Sequence, residues 1–375
     1  MQKYIRIYQD LLAQIESGSL KPGIRLPAEM ELSRTYSVSR PTVARALREL
    51  TQDGYVERKS GLGTYVRDRT EDGESALAGR TFGLLVPGLG RGEIFEPIFA
   101  HVAKQSHRNS FNLLWSGAFS DSNSAHRRET LEICDWYIQQ RVDGIFFVPW
   151  ELVPESMETN SAIAKRFQDA QIPLVLVDSD YVGFPQRSSF DLVGIDNFRW
   201  GYQACQHLTD QGASRVDFIS QPYAAYTVEL RARGHMSCLI DSGADCNSQV
   251  VHTGDPQDRA FVKSLLDSGA RDFVCGNDET ALLLMHTLGT LGLEAPSDVR
   301  IVGFDDIKYA RIARPPLTTV HQRCSQIAEL AVETLRSRIA DPQSSARTVF
   351  AEASLQIRSS SSIPGGSAGA RASQI

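Results

Sequence analysis

Arginine and hydroxyl side chains are concentrated in residues 37–50, which read Ser-Val-Ser-Arg-Pro-Thr-Val-Ala-Arg-Ala-Leu-Arg-Glu-Leu. Arg40, Arg45 and Arg48 carry a fixed positive charge and planar donors that suit phosphates and guanine edges. Between them, apolar residues recur at helical spacing and predict a buried stripe: Val43, Leu47 and Leu50. Because a helix of this kind can lie in the major groove, the stretch predicts a DNA-binding element.

Local rules predict a helix followed by a glycine-tipped hairpin. Ser39 is a suitable N-cap, and Pro41 fits the first helical turn, where its missing N–H costs nothing. Two short strands, 55–58 and 64–66, follow, and the turn between them, 59–63, can approach a phosphate closely because glycine permits positive backbone angles. Ser39 and Lys59 are further candidate DNA contacts. The alternative is a solvated amphipathic helix beside an ordinary hairpin.

Two more helices are predicted upstream. One carries an apolar face and ends at Gly18, and the other covers residues 28–36 after Pro27. The order helix, helix, recognition helix and hairpin describes a winged helix-turn-helix. Lysine and arginine outnumber aspartate and glutamate over residues 1–70, whereas the whole chain has a formal net charge of −6. A basic N-terminal domain followed by an acidic remainder is typical of a DNA-binding domain joined to a domain that does not bind DNA.

Over residues 3–66 the chain resembles the GntR family of bacterial transcription regulators. The resemblance rests on Ser17-Gly18-x-Leu20-Lys21-Pro22-Gly23-x-Arg25-Leu26-Pro27, Glu29-x-Glu31-Leu32, Val38-Ser39-Arg40-x-Thr42-Val43, Ala46-Leu47-x-x-Leu50, Gly54-x-Val56 and Gly61-x-Gly63-Thr64. It implies that Arg40 and Thr42 contact DNA at the start of the recognition helix and that Gly61 contacts DNA at the wing. The chain departs from the family at three positions where arginine is common: Met30, Ala44 and Leu62.

Composition limits the remaining classes of protein. The 42% hydrophobic fraction is globular, no run of 18 apolar residues could span a membrane, and the N-terminus has no apolar signal segment. Six scattered cysteines, without a C-x-x-C or a histidine partner, are typical of free thiols in a reducing cytosol. We therefore expect a cytoplasmic protein with no metal site and no cofactor.

From residue 81 onward, short apolar runs alternate with amphipathic stretches of ten or more residues, which favours parallel sheets covered by helices. Some ten strands are too many for one compact sheet, so the α/β body is predicted to form two similar lobes with a cleft between them. The predicted organisation is a winged helix-turn-helix over 1–68, a linker over 69–80, a two-lobed effector domain over 81–358 and a disordered tail over 359–375.

The body, from about 81 to 357, resembles the effector domain of the LacI/GalR family, which shares the fold of type I periplasmic sugar-binding proteins. The clearest segments are Asp298-Val299-Arg300-Ile301-Val302-Gly303-Phe304-Asp305-Asp306 and Gly276-Asn277-Asp278-Glu279-x-Ala281. Further support comes from Gly194-x-Asp196-Asn197 and Arg231-x-x-Gly234. The resemblance implies that Arg231, Asn277 and Asp305 line an effector cleft, and Asp196 is a further candidate.

Such a cleft needs paired donors and acceptors for adjacent hydroxyls and an aromatic ring for the apolar face of a sugar. Phe95 and Trp150 follow predicted strands, and Trp150 is the better stacking candidate. Other interpretations stay open: Arg231 as half of an ion pair, Asn277 and Asp196 as helix caps, and the two aromatic residues as core. Asp278 fits a cap of the helix near Glu279 better than a ligand contact.

Together these features predict a ligand-responsive transcription regulator, most simply a repressor. We expect a homodimer to bind double-stranded, pseudo-palindromic operator DNA, and a small polar effector, a carbohydrate in the first instance, to enter the cleft. The alternative is a sugar-sensing protein whose head has lost specific DNA recognition, which the changes at Met30, Ala44 and Leu62 keep open. The sequence contains no G-x-S-x-G, no H-E-x-x-H and no lysine in a Schiff-base context, so an enzyme is not expected.

Overall fold

The computed structural model describes residues 3–52, 55–59, 63–66, 77–86, 94–116, 123–244, 246 and 249–362. The chain divides into two compact units, Met1–Ala76 and Leu77–Ile375. No helix within the described ranges is long and apolar enough to cross a lipid bilayer.

The first unit is a three-helix domain with a two-stranded wing. Its elements are α1 Lys3–Glu16, α2 Glu29–Thr35, α3 Arg40–Gln52, β1 Val56–Lys59 and β2 Gly63–Val66. The strands pair antiparallel, with Val56 opposite Val66. Ile7 of α1 and Leu47 and Leu50 of α3 are almost completely buried, so α3 turns its predicted apolar stripe inward. This arrangement confirms the winged helix-turn-helix.

The first lobe of the second unit is a six-stranded parallel sheet in the order β13-β7-β6-β5-β3-β4. Its strands are β3 Thr81–Leu85, β4 Asn112–Trp115, β5 Gly144–Phe147, β6 Leu174–Val177, β7 Asp191–Ile195 and β13 Thr348–Ala351. Its helices are α4 Phe95–Asn109, α5 Asn123–Gln139, α6 Ser156–Asp169 and α12 Cys324–Ala340. Because helices cover both faces, the central strands are apolar along their whole length.

The second lobe repeats this plan in the order β14-β12-β11-β10-β8-β9, with β14 antiparallel to β12. Its strands are β8 Asp217–Ser220, β9 Val251–Thr253, β10 Asp272–Cys275, β11 Arg300–Asp305, β12 Thr318–Gln322 and β14 Ala353–Gln356. Its helices are α7 Asn197–Thr209, α8 Tyr226–Ser242, α9 Arg259–Asp267, α10 Asp278–Thr290 and α11 Lys308–Ile312. Two similar α/β lobes are therefore present, as the alternating pattern predicts.

Three chain segments join the lobes. They lie between β7 and α7, between β12 and α12, and between β13 and β14. In both sheets the first strand has the second strand on one side and the third on the other, which creates a topological switch point. Ligands of open α/β sheets bind outside the carboxyl ends of the strands at such points, so these ends are where a site is expected.

The structure differs from the predicted boundaries at both ends of the effector domain. Leu77, predicted to lie in the linker, is buried in the core of the second unit. Ser360 and Ser361, predicted to belong to the disordered tail, are fully buried and hydrogen-bond the strand that contains Thr318. The effector domain therefore begins before residue 81 and extends past residue 358. The rest of the predicted linker and tail, 69–76 and 363–375, lies outside the described residues.

Candidate DNA-binding and interlobe sites

Helix α3 presents its arginines on the face opposite its buried stripe. Arg40 and Arg48 are exposed. Arg45 is also exposed, but its guanidinium lies 3.9 Å from the centre of the Tyr4 ring and its Nε lies 3.3 Å from Glu49 Oε1. Arg45 is thus held against α1 in this structure, whereas Arg40 and Arg48 point away from the domain core.

The hydroxyl groups at the start of α3 form a small cluster. Ser39 Oγ lies 2.8 Å from Thr42 Oγ1, and the backbone carbonyl of Ser39 accepts from the Thr42 N–H at 3.0 Å. On the wing, the Lys59 ammonium is exposed and lies 2.8 Å from Glu57 Oε1. Gly61 and the departure at Leu62 lie outside the described residues. The predicted contacts therefore share the exposed side of α3 and its wing, and their binding to DNA stays a prediction.

Side chains from the carboxyl ends of both sheets meet in one polar group, which we call the interlobe cluster. It consists of Glu151, Asp178, Arg231, Asp305 and Gln322. The first two residues follow β5 and β6 of the first lobe, and the others belong to α8, β11 and β12 of the second. A hydrogen bond also joins the two lobes here, because Glu151 Oε2 of the first lobe accepts from the Ala225 N–H of the second at 3.1 Å.

Arg231 is the cation of the interlobe cluster and is 97% buried. Its Nε donates to Asn197 Oδ1 at 2.8 Å, its Nη1 donates to the Gly276 carbonyl at 2.6 Å, and its Nη2 lies 3.7 Å from Asp305 Oδ1. Its guanidinium also stacks on the Phe304 ring at 4.5 Å. The alternative interpretation of Arg231 as half of an ion pair is therefore observed, with Asp305 as its partner, and a ligand contact by Arg231 stays a prediction.

Two glycines explain why α8 lies close enough to position Arg231. A Cβ atom on Gly201 of α7 would lie 2.0 Å from the Arg231 carbonyl oxygen. A Cβ on Gly234 of α8 would lie 1.9 Å from the Phe198 carbonyl oxygen. Because both distances are impossible, only glycine permits this helix pair to pack so tightly.

Three carboxylates surround Arg231. Burial raises the pKa of Glu151 to about 7, with a smaller contribution from the charge of Asp178. Burial likewise raises the pKa of Asp178 to about 6 against the attraction of Arg231, and it raises the pKa of Asp305. Raised acid pKa values beside a cation at strand ends are typical of binding or catalytic sites.

The backbone is strained at the same place. Asp178 has φ +74° and Asp305 has φ +109°, both in a region that side-chain-bearing residues rarely adopt. Such conformations persist where the surrounding structure imposes them and are concentrated at functional sites. The strain thus agrees with the electrostatics in marking the ends of β6 and β11.

The predicted aromatic contacts differ in their surroundings. Trp150 is 92% buried, packs its ring edge-on against His126 at 4.8 Å, and keeps its Nε1–H without a partner among the described residues. Phe95 begins α4 and packs half-buried against the core of the domain. Trp150 directly precedes Glu151 of the interlobe cluster, whereas Phe95 has the contacts of a core residue. A ligand contact by either residue remains a prediction.

Two other predicted contacts serve as helix caps. Asn277 Oδ1 accepts the Thr280 N–H at 2.9 Å at the start of α10, and Asp196 Oδ1 accepts the Arg199 N–H at 3.0 Å at the start of α7. The predicted cap at Asp278 is wrong, because this residue is completely buried and accepts from Thr319 Oγ1 at 2.6 Å. Capping does not exclude a ligand contact by Asn277 or Asp196, and that role stays a prediction.

Sequence reasoning missed Glu151, Asp178 and Gln322. Asp178 stands at the end of an apolar strand, the same position that identifies Asp305, so its place in the sequence was a usable signal. Glu151 directly follows the predicted aromatic residue Trp150. Gln322 ends β12, a strand that the polar run Thr318-Thr319 concealed. Its Nε2 donates to Asp305 Oδ1 at 2.8 Å.

Comparison with known proteins agrees with the two-part organisation of the chain. Residues 3–66 match the bacterial regulatory proteins of the gntR family, and residues 205–361 match the periplasmic binding protein-like domain. An arabinose metabolism transcriptional repressor of Geobacillus stearothermophilus is 25% identical over 354 residues, which cover 91% of this chain and 93% of that protein. The ribose operon repressor of Escherichia coli K12 is 26% identical over 251 residues, 66% of this chain and 73% of that protein.

A similar fold occurs in a solved structure, the LacI family transcriptional regulator from Enterococcus faecium with bound ribose. The TM-score is 0.61 at 22% identity, covering 75% of this chain and 98% of that one. The gntR-type domain and the repressors that are similar over most of the chain identify a DNA-binding transcription regulator. The N-terminal domain of the chain is similar to that of the gntR family of bacterial regulatory proteins. Its body has the fold of LacI-type effector domains.

Proposed function

We propose that this regulator is a homodimeric repressor that releases a pseudo-palindromic operator when a small carbohydrate enters the interlobe cluster. The observation that carries the proposal is the composition of this cluster. Buried donors and acceptors from both lobes converge at the strand ends, and Trp150 Nε1, Asp178 Oδ1 and Gln322 Oε1 have no partner among the described residues. Unmatched polar groups of this kind fit the paired hydroxyls of a sugar.

The two lobes supply the cluster jointly, and this explains how a ligand would act. A molecule held between Asp178 of one lobe and Arg231 of the other binds most tightly when the lobes are close. Such a ligand shifts the balance of lobe arrangements by its differential affinity for them. The reciprocal effect is a change in the affinity of the linked winged helices for DNA.

The arabinose and ribose repressors among the relatives support this direction of control. The bound ribose in the Enterococcus regulator supports a pentose-sized occupant. Dimerisation is proposed because a two-fold protein matches a palindromic site.

The DNA part of the proposal is tested with Arg40→Ala. If Arg40 contacts a base, its loss weakens binding to duplexes from the regulator's own gene region by about 1–3 kcal/mol, roughly 5- to 150-fold. Arg128→Ala is the matched control, since Arg128 is an exposed arginine of the effector domain that pairs with Glu132. Fluorescence anisotropy at several salt concentrations measures both variants. Equal affinities of the two variants would contradict the assignment of α3 as the recognition helix.

The effector part is tested with Asp305→Ala. We expect this variant to bind the operator duplex normally but to stay bound when the sugar that releases the wild-type protein is added. A thermal-shift screen of pentoses and hexoses identifies that sugar beforehand, because a ligand of the native state raises the melting temperature. A full response by Asp305→Ala would remove the interlobe cluster from the proposed switch.

A further inference from the structure

The interlobe cluster has more negative than positive charge. Glu151, Asp178 and Asp305 bring three carboxylates together, and Arg231 is the cation that the described residues place beside them. This inference rests on the proposed function, because it concerns the ligand of the same site. We propose that the effector is a cationic polyol, a sugar-like molecule with a protonated amino group that pairs with Asp178 and Glu151.

Unmatched hydrogen-bonding groups support a ligand rich in donors. Asp178 Oδ1 and Gln322 Oε1 are buried acceptors without a partner among the described residues, although Asp178 is 93% and Gln322 fully buried. An ammonium group has three donors and no acceptor. The indole Nε1–H of Trp150 needs an acceptor instead, which a hydroxyl oxygen of the same ligand provides. An aminated polyol offers both kinds of group, donors for Asp178 and Gln322 and an acceptor for Trp150.

Two buried carboxylates elsewhere in this chain differ from Asp178 in their hydrogen bonding. Asp191 is 99% buried and accepts from Arg338 Nε at 2.8 Å, from Arg338 Nη2 at 3.1 Å and from the Arg347 N–H at 2.8 Å. Asp217, also fully buried, accepts from both Arg215 and His252. A buried carboxylate with a purely structural role is thus fully paired here, whereas Asp178 keeps a buried oxygen unpaired.

The protonation behaviour of the cluster agrees with a missing cation. Burial, with a smaller contribution from the charge of Asp178, raises the pKa of Glu151 to about 7, and burial raises the pKa of Asp178 to about 6, so the free site retains protons close to neutral pH. A bound ammonium would replace such a proton and keep both carboxylates ionised. Within the described ranges no group of three His, Cys, Asp or Glu side chains could hold a metal ion, which disfavours a metal as that cation.

The test uses matched sugars that differ in one group. Each set contains a neutral sugar, its 2-amino-2-deoxy derivative and its uronate, for example galactose, galactosamine and galacturonate, with ribose, xylose, arabinose and glucose sets beside it. Isothermal titration at pH 7.5 measures each dissociation constant on the full-length protein. We expect the amino member of the best-bound set to bind at least tenfold tighter than its neutral parent, and the uronate to bind most weakly.

Substitution of Asp178 separates charge pairing from general loss of the site. In Asp178→Asn the amino sugar should lose its tenfold advantage, whereas the neutral parent should change less. Asp180→Asn is the control, because Asp180 lies two residues further on but hydrogen-bonds the backbone of Val182 and Ser188 in its own loop. It should keep the preference. If Asp178→Asn binds no sugar, Glu151→Gln provides the same comparison and the same expectation.

The possible failures are distinct. A neutral sugar or a uronate that binds as tightly as the amino sugar overturns the cationic ligand but leaves the sugar-controlled repressor intact. The cationic ligand is also overturned if both Asp178→Asn and Glu151→Gln keep the wild-type preference for the amino sugar over its neutral parent. If no member of any set binds or releases the operator, the proposed function itself fails, and this inference fails with it.

Discussion

Replacement of Asp178 by asparagine should stabilise the ligand-free effector domain at alkaline pH. Asp178 has a buried oxygen without a partner, and burial raises its pKa from 3.8 to about 6. This difference corresponds to about 3 kcal/mol of free energy, since each pKa unit is worth about 1.4 kcal/mol. Asparagine has nearly the same shape and carries no charge, so at pH 8 it should avoid most of this cost.

The sign of the pH dependence follows from linkage. A folded-state pKa above the unfolded value means that the folded protein binds protons more tightly, so this part of its stability is complete below about pH 4. It is lost as the pH rises through about 6. Asp305 and Arg231 face Asp178. The pKa of the nearby Glu151 is raised to about 7, so its contribution to the stability of the domain is also lost as the pH rises, in this case through about 7.

The measurement is a difference of differences. Urea unfolding of wild type and Asp178→Asn at pH 4.5 and pH 8 gives four free energies of unfolding. Any cost of fitting an amide into the cluster is the same at both pH values and cancels. We expect the variant to gain about 2 kcal/mol relative to wild type between pH 4.5 and pH 8, since about 1 kcal/mol of the cost is already present at pH 4.5.

Asp180→Asn provides the control, because the Asp180 carboxylate accepts hydrogen bonds from the N–H of Val182 at 3.0 Å and from the N–H and hydroxyl of Ser188. The substitution should destabilise the domain, and it should show no gain at pH 8. An Asp178→Asn effect of equal size at pH 4.5 and pH 8 would refute the argument, since it would mean that the carboxylate is not destabilised by burial.

Two further predictions concern packing. Gly234→Ala should push α7 and α8 apart and lower the free energy of unfolding of the effector domain by roughly 3 kcal/mol or more. Gly289 has open space at its Cβ position, so Gly289→Ala should raise this free energy by about 0.5–1 kcal/mol. Both changes are measured in the same urea titrations. Leu47→Ala should remove about 2–5 kcal/mol from the winged helix alone, because Leu47 is 99% buried there. Differential scanning calorimetry should then show a shift of one transition only; a shift of both would contradict independent units.

The fold could be predicted from local patterns wherever pattern and burial agree. Central strands such as β5 and β6 are continuous apolar runs because helices cover both faces of a parallel sheet. Strand β12 escaped this reasoning because it begins Thr318-Thr319, yet both residues are fully buried. The hydroxyl of Thr318 donates to the Arg358 carbonyl, and that of Thr319 donates to Asp278. Tertiary partners, which no local pattern reveals, permit a polar run to form an interior strand.

The site could be predicted only in part for a related reason. Arg231 and Asp305 were identified by resemblance, and their meeting at 3.7 Å depends on the glycine contacts between α7 and α8. Asp178 and Glu151 belong to the other lobe, and the sequence does not show which strand ends face each other across the two lobes. The excess of carboxylates therefore became visible only when both lobes were considered together.

A buried, unpaired carboxylate also offers a source of energy for the switch. If ionised Asp178 destabilises the close arrangement of the lobes by about 3 kcal/mol, the ligand-free protein is biased toward more open arrangements. A ligand that donates a hydrogen bond to Asp178 removes this bias. This amount lies within the usual range of allosteric coupling, about 1–3 kcal/mol. Asp178→Asn should then mimic the liganded state and bind the operator more weakly without any sugar, by up to about 100-fold. Anisotropy titrations showing wild-type operator affinity, in a variant that calorimetry proves folded, would separate the carboxylate from the switch.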